Sequence, residues 1–186
     1  MESYKIMEIY FSPTGTTKKI VSAISEGIGI EDIETIDLTK PEIRKSFNPD
    51  FSDNYILIIG VPVYEERIPE ILEGTLRKLE GQGQPAIIIT LYGNIGNGIA
   101  LKQLNTIVSE VGFRVVGAAS FIGEHSFSNN EIEIAKGRPD ENDLKIARSC
   151  GERIAKLNLL SINQEAPELE IDGKLPLMAK ILPRNS

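Results

Sequence analysis

The chain has 186 residues, 41% of them hydrophobic and 25% charged, which suits one soluble globular domain with a sizeable core. Its formal net charge of −7 argues against nucleic acid or an anionic membrane as the main partner, and its single cysteine excludes a disulfide framework or a thiolate metal cluster. The first residues lack the pattern of a secretory signal and no apolar run is long enough to span a bilayer, so a cytoplasmic protein is expected.

In chain order, Ile6 to Phe11 reads as an apolar strand, followed by the hydroxyl-rich turn Ser12-Pro13-Thr14-Gly15-Thr16-Thr17. The next helix carries Ile20, Val21, Ile24 and Ile28 on one stripe and closes at Gly27 or Gly29. Its free first-turn amides face that turn, and Gly15 lets the backbone pass close to a ligand. Together these make an anion site with no committed positive charge; an ordinary capped helix start is the other reading of the same residues. Ile33 to Leu38 alternates as a half-buried edge strand, and residues 41–47 form a weak helix or turn.

Tyr55 to Val61 is apolar on both faces, as a central parallel strand must be, and Pro62-Val63-Tyr64 follows it. Ile68, Ile71, Leu72, Leu76 and Leu79 recur at helical spacing, with Pro69 in the first turn. Ala86 to Thr90 is a second doubly buried strand, leading into Leu91-Tyr92-Gly93-Asn94 and Asn97. Leu101, Leu104, Ile107, Val108 and Val111 mark the helix after it, and Val115 to Phe121 the last strand. The connection 122–139 is long for a compact domain, which points to function or disorder. Asp140 caps a final helix with Leu144, Ala147, Cys150, Ile154 and Leu157 on its stripe; from Asn158 the chain reads as an extended arm.

Five strands alternating with helices predict an α/β fold with a parallel sheet covered on both faces, and a ligand site at the carboxyl ends of the strands. Four rim segments meet there. They hold Ser12 to Thr17; Pro62, Val63, Tyr64 and Arg67; Leu91, Tyr92, Gly93, Asn94 and Asn97; and Gly123, Glu124, His125 and Ser126. Hydroxyls, aromatics and glycine-loosened backbone suit a flat ring with a phosphate tail. Each member also has a plainer reading: Tyr64 and Tyr92 as loop aromatics, Arg67 as a solvated helix-start residue, His125 as a loop histidine. No Walker A or G-x-G-x-x-G pattern is present.

The run S-x-T-G-x-T after a strand resembles the phosphate loop of the flavodoxin family, which holds the terminal phosphate of flavin mononucleotide (FMN). The resemblance implies a three-layer sandwich with strand order 2-1-3-4-5 and a redox protein carrying one or two electrons on non-covalent FMN. Ser12, Thr14, Gly15, Thr16 and Thr17 would hold the phosphate and Tyr64 one ring face. Tyr92, Gly93 and Asn94 would take the other face and polar edge. His125 and Ser126 would border the ring, with Pro62, Val63, Arg67, Leu91, Asn97 and Gly123 completing the rim.

The segments 60–69, 92–94, 121–126 and 137–140 resemble a branch in which this domain, residues 1–157 here, is joined to a C-terminal ferredoxin domain. Residues 158–186 resemble the linker, and no cluster-binding cysteine run follows. The implied partners are redox proteins, of ferredoxin or reductase type. Glu65-Glu66 stands where the branch often has glycines, at the peptide that flavodoxins use to stabilise the one-electron-reduced flavin. An NAD(P)H- or quinone-dependent FMN oxidoreductase on the same fold stays open beside the carrier. A receiver module and an FMN-free interaction module are also open, although Ser12 and Pro62 stand where a receiver needs acidic residues.

Overall fold

The computed structural model describes residues 4–51, 54–94, 96–125 and 133–157, together with Leu169 and Ile171. Ten elements alternate: β1 (Lys5–Tyr10), α1 (Thr16–Ile28), β2 (Ile33–Asp37), α2 (Pro41–Lys45), β3 (Tyr55–Pro62), α3 (Glu70–Leu76), β4 (Pro85–Tyr92), α4 (Ala100–Glu110), β5 (Arg114–Ile122) and α5 (Glu141–Lys156). All neighbouring strands pair parallel, in the order β2-β1-β3-β4-β5. Both the expected fold class and the expected strand order are therefore found.

The period of two along each strand explains the layers. Ile56 and Ile58 of β3, with Ile87 and Ile89 of β4, face Ile20, Val21 and Ile24 of α1 and Ala147 of α5. Leu57, Ile59 and Val61, with Ile88, face Leu72 and Leu76 of α3 and Leu104, Ile107 and Val108 of α4. Each such fully buried side chain contributes about 1.5–3 kcal/mol of transfer free energy. α2 lies on the second side, packing Ile43 against the core without burying any residue fully. Leu169 and Ile171 also pack there; the rest of the arm expected from Asn158 lies outside the described residues.

The α1–α5 contact rests on two glycines. A Cβ on Gly27 would stand 2.0 Å from the Arg148 carbonyl oxygen, and one on Gly151 would stand 2.2 Å from that of Ile24. The two helix backbones touch directly, which anchors the C-terminal end of α1.

Two stripe residues are largely exposed, and a third, Cys150, is only partly buried. Ile71 is 57% exposed, while Ile68, Leu72, Leu76 and Leu79 of the same stripe are buried. Leu157 is 60% exposed because α5 ends at Lys156. Among the described residues, no helix is long and apolar enough to cross a membrane.

Candidate functional site

The turn between β1 and α1 is built around Ser12. Its amide donates to Thr39 Oγ1 at 2.8 Å, its carbonyl accepts the Gly15 amide at 3.1 Å, and its Oγ accepts the Lys18 amide at 3.0 Å. Gly15 takes a left-handed conformation, φ 80°, at the N-cap of α1. Ser12 thus satisfies the third amide of the helix from a distance. The amides of Thr14, Thr16 and Thr17 have no hydrogen-bond acceptor among the described residues. Thr14 and Thr16 bond to each other through their hydroxyls at 2.9 Å. Three unspent amides and two exchangeable hydroxyls at the positive end of a helix dipole attract an anion.

A cleft runs from this turn along the carboxyl edge of the sheet. Its walls are Pro13, Thr14, Thr16 and Thr17; Pro62, Val63 and Tyr64; Leu91, Tyr92 and Gly93; and Gly123, Glu124 and His125. Parallel register sets these segments side by side, with Pro62 beside Leu91 and Tyr92 beside Ile122. The Tyr64 ring is 45% exposed over the opening, while desolvation of its phenol raises the pKa above the ordinary value. Gly93 must lack a side chain, because a Cβ there would lie 2.3 Å from His125 Cδ2.

No protein-family model matches the chain. A curated flavodoxin from Aquifex aeolicus is 24% identical over 186 residues, spanning 95% of this chain and 94% of the relative. A solved flavodoxin from the domain Archaea shares the fold with a TM-score of 0.54 at 20% identity, over 82% of this chain and 97% of its own. A flavodoxin from Fusobacterium nucleatum, solved bound to flavin mononucleotide, does so at 0.55 and 20% identity, over 84% and 98%. The chain has a flavodoxin-like fold.

On this flavodoxin-like fold, most of the residues expected at the site line one cleft, and the exceptions have physical reasons. Ser12 and Gly15 shape the turn from behind and do not line the opening. Arg67 does not line it at all. Tyr64 and Arg67 exchange backbone hydrogen bonds at 2.9 and 3.0 Å around a two-residue turn in which Glu65 and Glu66 have φ 50° and 62°. That reversal sends Arg67 to the groove between α3 and α4, with Arg77, Lys102 and Gln103.

Asn94 adopts φ 60° in the β4–α4 loop, and the Asn97 carbonyl accepts the Ala100 amide at the start of α4. Neither residue lines the cleft. Ser126 lies outside the described residues. Pro13 and Glu124, which the sequence places on the rim without a role toward a ligand, also line the cleft.

Glu124 and His125 are held by the connection that returns to α5. The Glu124 amide donates to the Arg138 carbonyl at 2.9 Å, and the Gly137 amide donates to the Glu124 carboxylate at 3.0 Å. Arg138 makes a two-pronged ion pair with Asp143, whose Oδ2 also accepts the Asp140 amide at 2.8 Å while Asp140 caps the helix reciprocally. The hydrogen bond from Arg138 holds the Asp143 carboxyl below its usual range, against the opposing effect of burial.

A depressed folded-state pKa stabilises the protein above the unfolded value near 4, and that stability is lost as pH falls through the folded value. Asp143→Asn is therefore expected to cost about 2 kcal/mol at pH 7. The difference from wild type should shrink as pH drops below about 4, where the wild-type carboxyl takes up a proton. Urea midpoints at pH 7 and pH 3 measure both.

Proposed function

We propose that the cleft binds FMN non-covalently and that the protein is an electron carrier. The observation that carries this reading is the set of unspent amides of Thr14, Thr16 and Thr17 at one end of a cleft whose other walls are Tyr64, Tyr92 and Gly93. The phosphate fits the amides and the Thr14 and Thr16 hydroxyls, Tyr64 covers one ring face, and Tyr92 and the backbone at Gly93 meet the rest. His125, packed on Gly93, closes the far wall. Ser12 and Gly15 act by shaping the loop, and Arg67 stands outside the contact set.

Bound there, FMN supplies the one- or two-electron chemistry. The chain supplies binding, orientation and exclusion of water from the ring face under Tyr64. The FMN-bound flavodoxin from Fusobacterium nucleatum and the Aquifex aeolicus flavodoxin support the same cofactor and role. In this reading residues 1–157 are the cofactor domain and 158–186 an arm. The protein works in the cytoplasm and exchanges electrons with other redox proteins.

The test is an absorption spectrum after incubation with FMN and gel filtration. Retained flavin bands support the assignment, and a colourless protein overturns it. Steady-state oxidation of NADH or NADPH with a quinone separates the roles: absence of turnover by the FMN-loaded protein supports a carrier, and rapid turnover identifies a reductase.

A further inference from the structure

We propose that Thr39, in the turn between β2 and α2, is a positioning residue for phosphate binding, and that Arg44 of α2 fixes Thr39 in place. This rests on the reading of the cleft as an FMN site.

Ser12 organises the phosphate turn, and all three of its polar groups are engaged. Two of those bonds are internal to the turn and α1. The third, from the Ser12 amide to the Thr39 hydroxyl at 2.8 Å, is the one that ties the turn to another part of the fold. Thr39 is itself fixed from both sides. Its amide donates to Asp37 Oδ1 at 2.9 Å, and its carbonyl accepts from Arg44 Nη1 at 2.9 Å. The same guanidinium nitrogen reaches the Leu38 carbonyl, and the guanidinium carbon lies 5.7 Å from the centre of the Phe11 ring, one residue before Ser12.

α2 is five residues long and buries none of them fully; Ile43 packs against the core, and Leu38 and Phe47 are buried on either side of the helix. What it delivers is Arg44. The guanidinium braces the carbonyls around Thr39 while its positive charge stays close to the turn without lining the cleft. Losing the Thr39 hydroxyl frees the Ser12 amide to seek another acceptor. The turn then no longer holds the Thr14, Thr16 and Thr17 amides in one fixed set, and the ordering must be supplied by the ligand.

The experiment compares dissociation constants of the full-length apoprotein for FMN and for riboflavin, which lacks the phosphate. Thr39→Val is expected to weaken FMN about tenfold and riboflavin less than about twofold, and Thr39→Ser, which keeps the hydroxyl, to recover most of the loss. Arg44→Gln is expected to lower the FMN-over-riboflavin preference by several-fold in the same direction. The proposal is overturned if Thr39→Val leaves that preference at its wild-type value, or if both flavins are lost equally. A wild-type protein that binds FMN no better than riboflavin overturns the phosphate-loop reading itself, and with it this proposal; that result is visible before any variant is made.

Discussion

Valine at both Thr14 and Thr16 is expected to weaken FMN binding by about 3 kcal/mol, roughly a hundredfold, because each hydroxyl lost from a charged acceptor costs about 1.5 kcal/mol or more. Valine keeps the shape of threonine, so the turn retains its packing. In the free protein the two hydroxyls bond to each other at 2.9 Å, and both disappear together, leaving no orphaned partner. Apoprotein stability should therefore change little. The amides of Thr14, Thr16 and Thr17 remain, so binding is reduced and not abolished. Riboflavin affinity is the internal control and should hold within about twofold. An FMN affinity equal to wild type would remove the phosphate from this turn.

Gly151→Ala is expected to destabilise the protein by about 3 kcal/mol, at the upper end of overpacking costs, and to lower the melting temperature by roughly 6–12 °C for a chain of this size. The new Cβ would meet the Ile24 carbonyl oxygen at 2.2 Å and the Ile28 amide nitrogen at 2.9 Å. Both are backbone atoms of a helix, so no rotamer change relieves the contact and α1 must move from α5. Gly74 in α3 provides the contrast: no atom lies within 4 Å of its ideal Cβ and its φ is ordinary for a side chain. Gly74→Ala should stabilise by up to about 1 kcal/mol through helix propensity alone. Equal effects from the two substitutions would show that the α1–α5 contact yields easily.

The parts of the fold that were legible in the sequence are those in which local pattern and tertiary burial agree. Tyr55 to Val61 reads as a doubly covered strand because nothing but a central position tolerates seven such residues, and all seven are buried. Strand ends gave most of the cleft because parallel α/β sheets gather their loops there. The misses arise where contacts join residues far apart in sequence or where the backbone turns unexpectedly. Arg44 sits in a stretch that reads as a weak helix or turn and Thr39 in the gap before it, and their service to Ser12 has no periodicity to betray it. The Gly27–Gly151 contact is likewise invisible before two helices are crossed. Arg67 was placed at the site by proximity to Tyr64, and the left-handed pair between them carries it elsewhere.

That left-handed pair has an energetic consequence. Two-residue hairpin turns with positive φ at both positions favour Asn-Gly, and an ordinary L-residue held there costs about 1–2 kcal/mol. Here both places are glutamates; one oxygen of Glu66 is buried with no hydrogen-bond partner among the described residues, and the Glu66 backbone carbonyl accepts the Ile99 amide at 2.9 Å. The turn that follows Tyr64 is thus held in a costly conformation and latched to the start of α4. A chain rewritten to Asn-Gly at these two places would recover that cost as thermal stability, a reserve the glutamate pair leaves unspent.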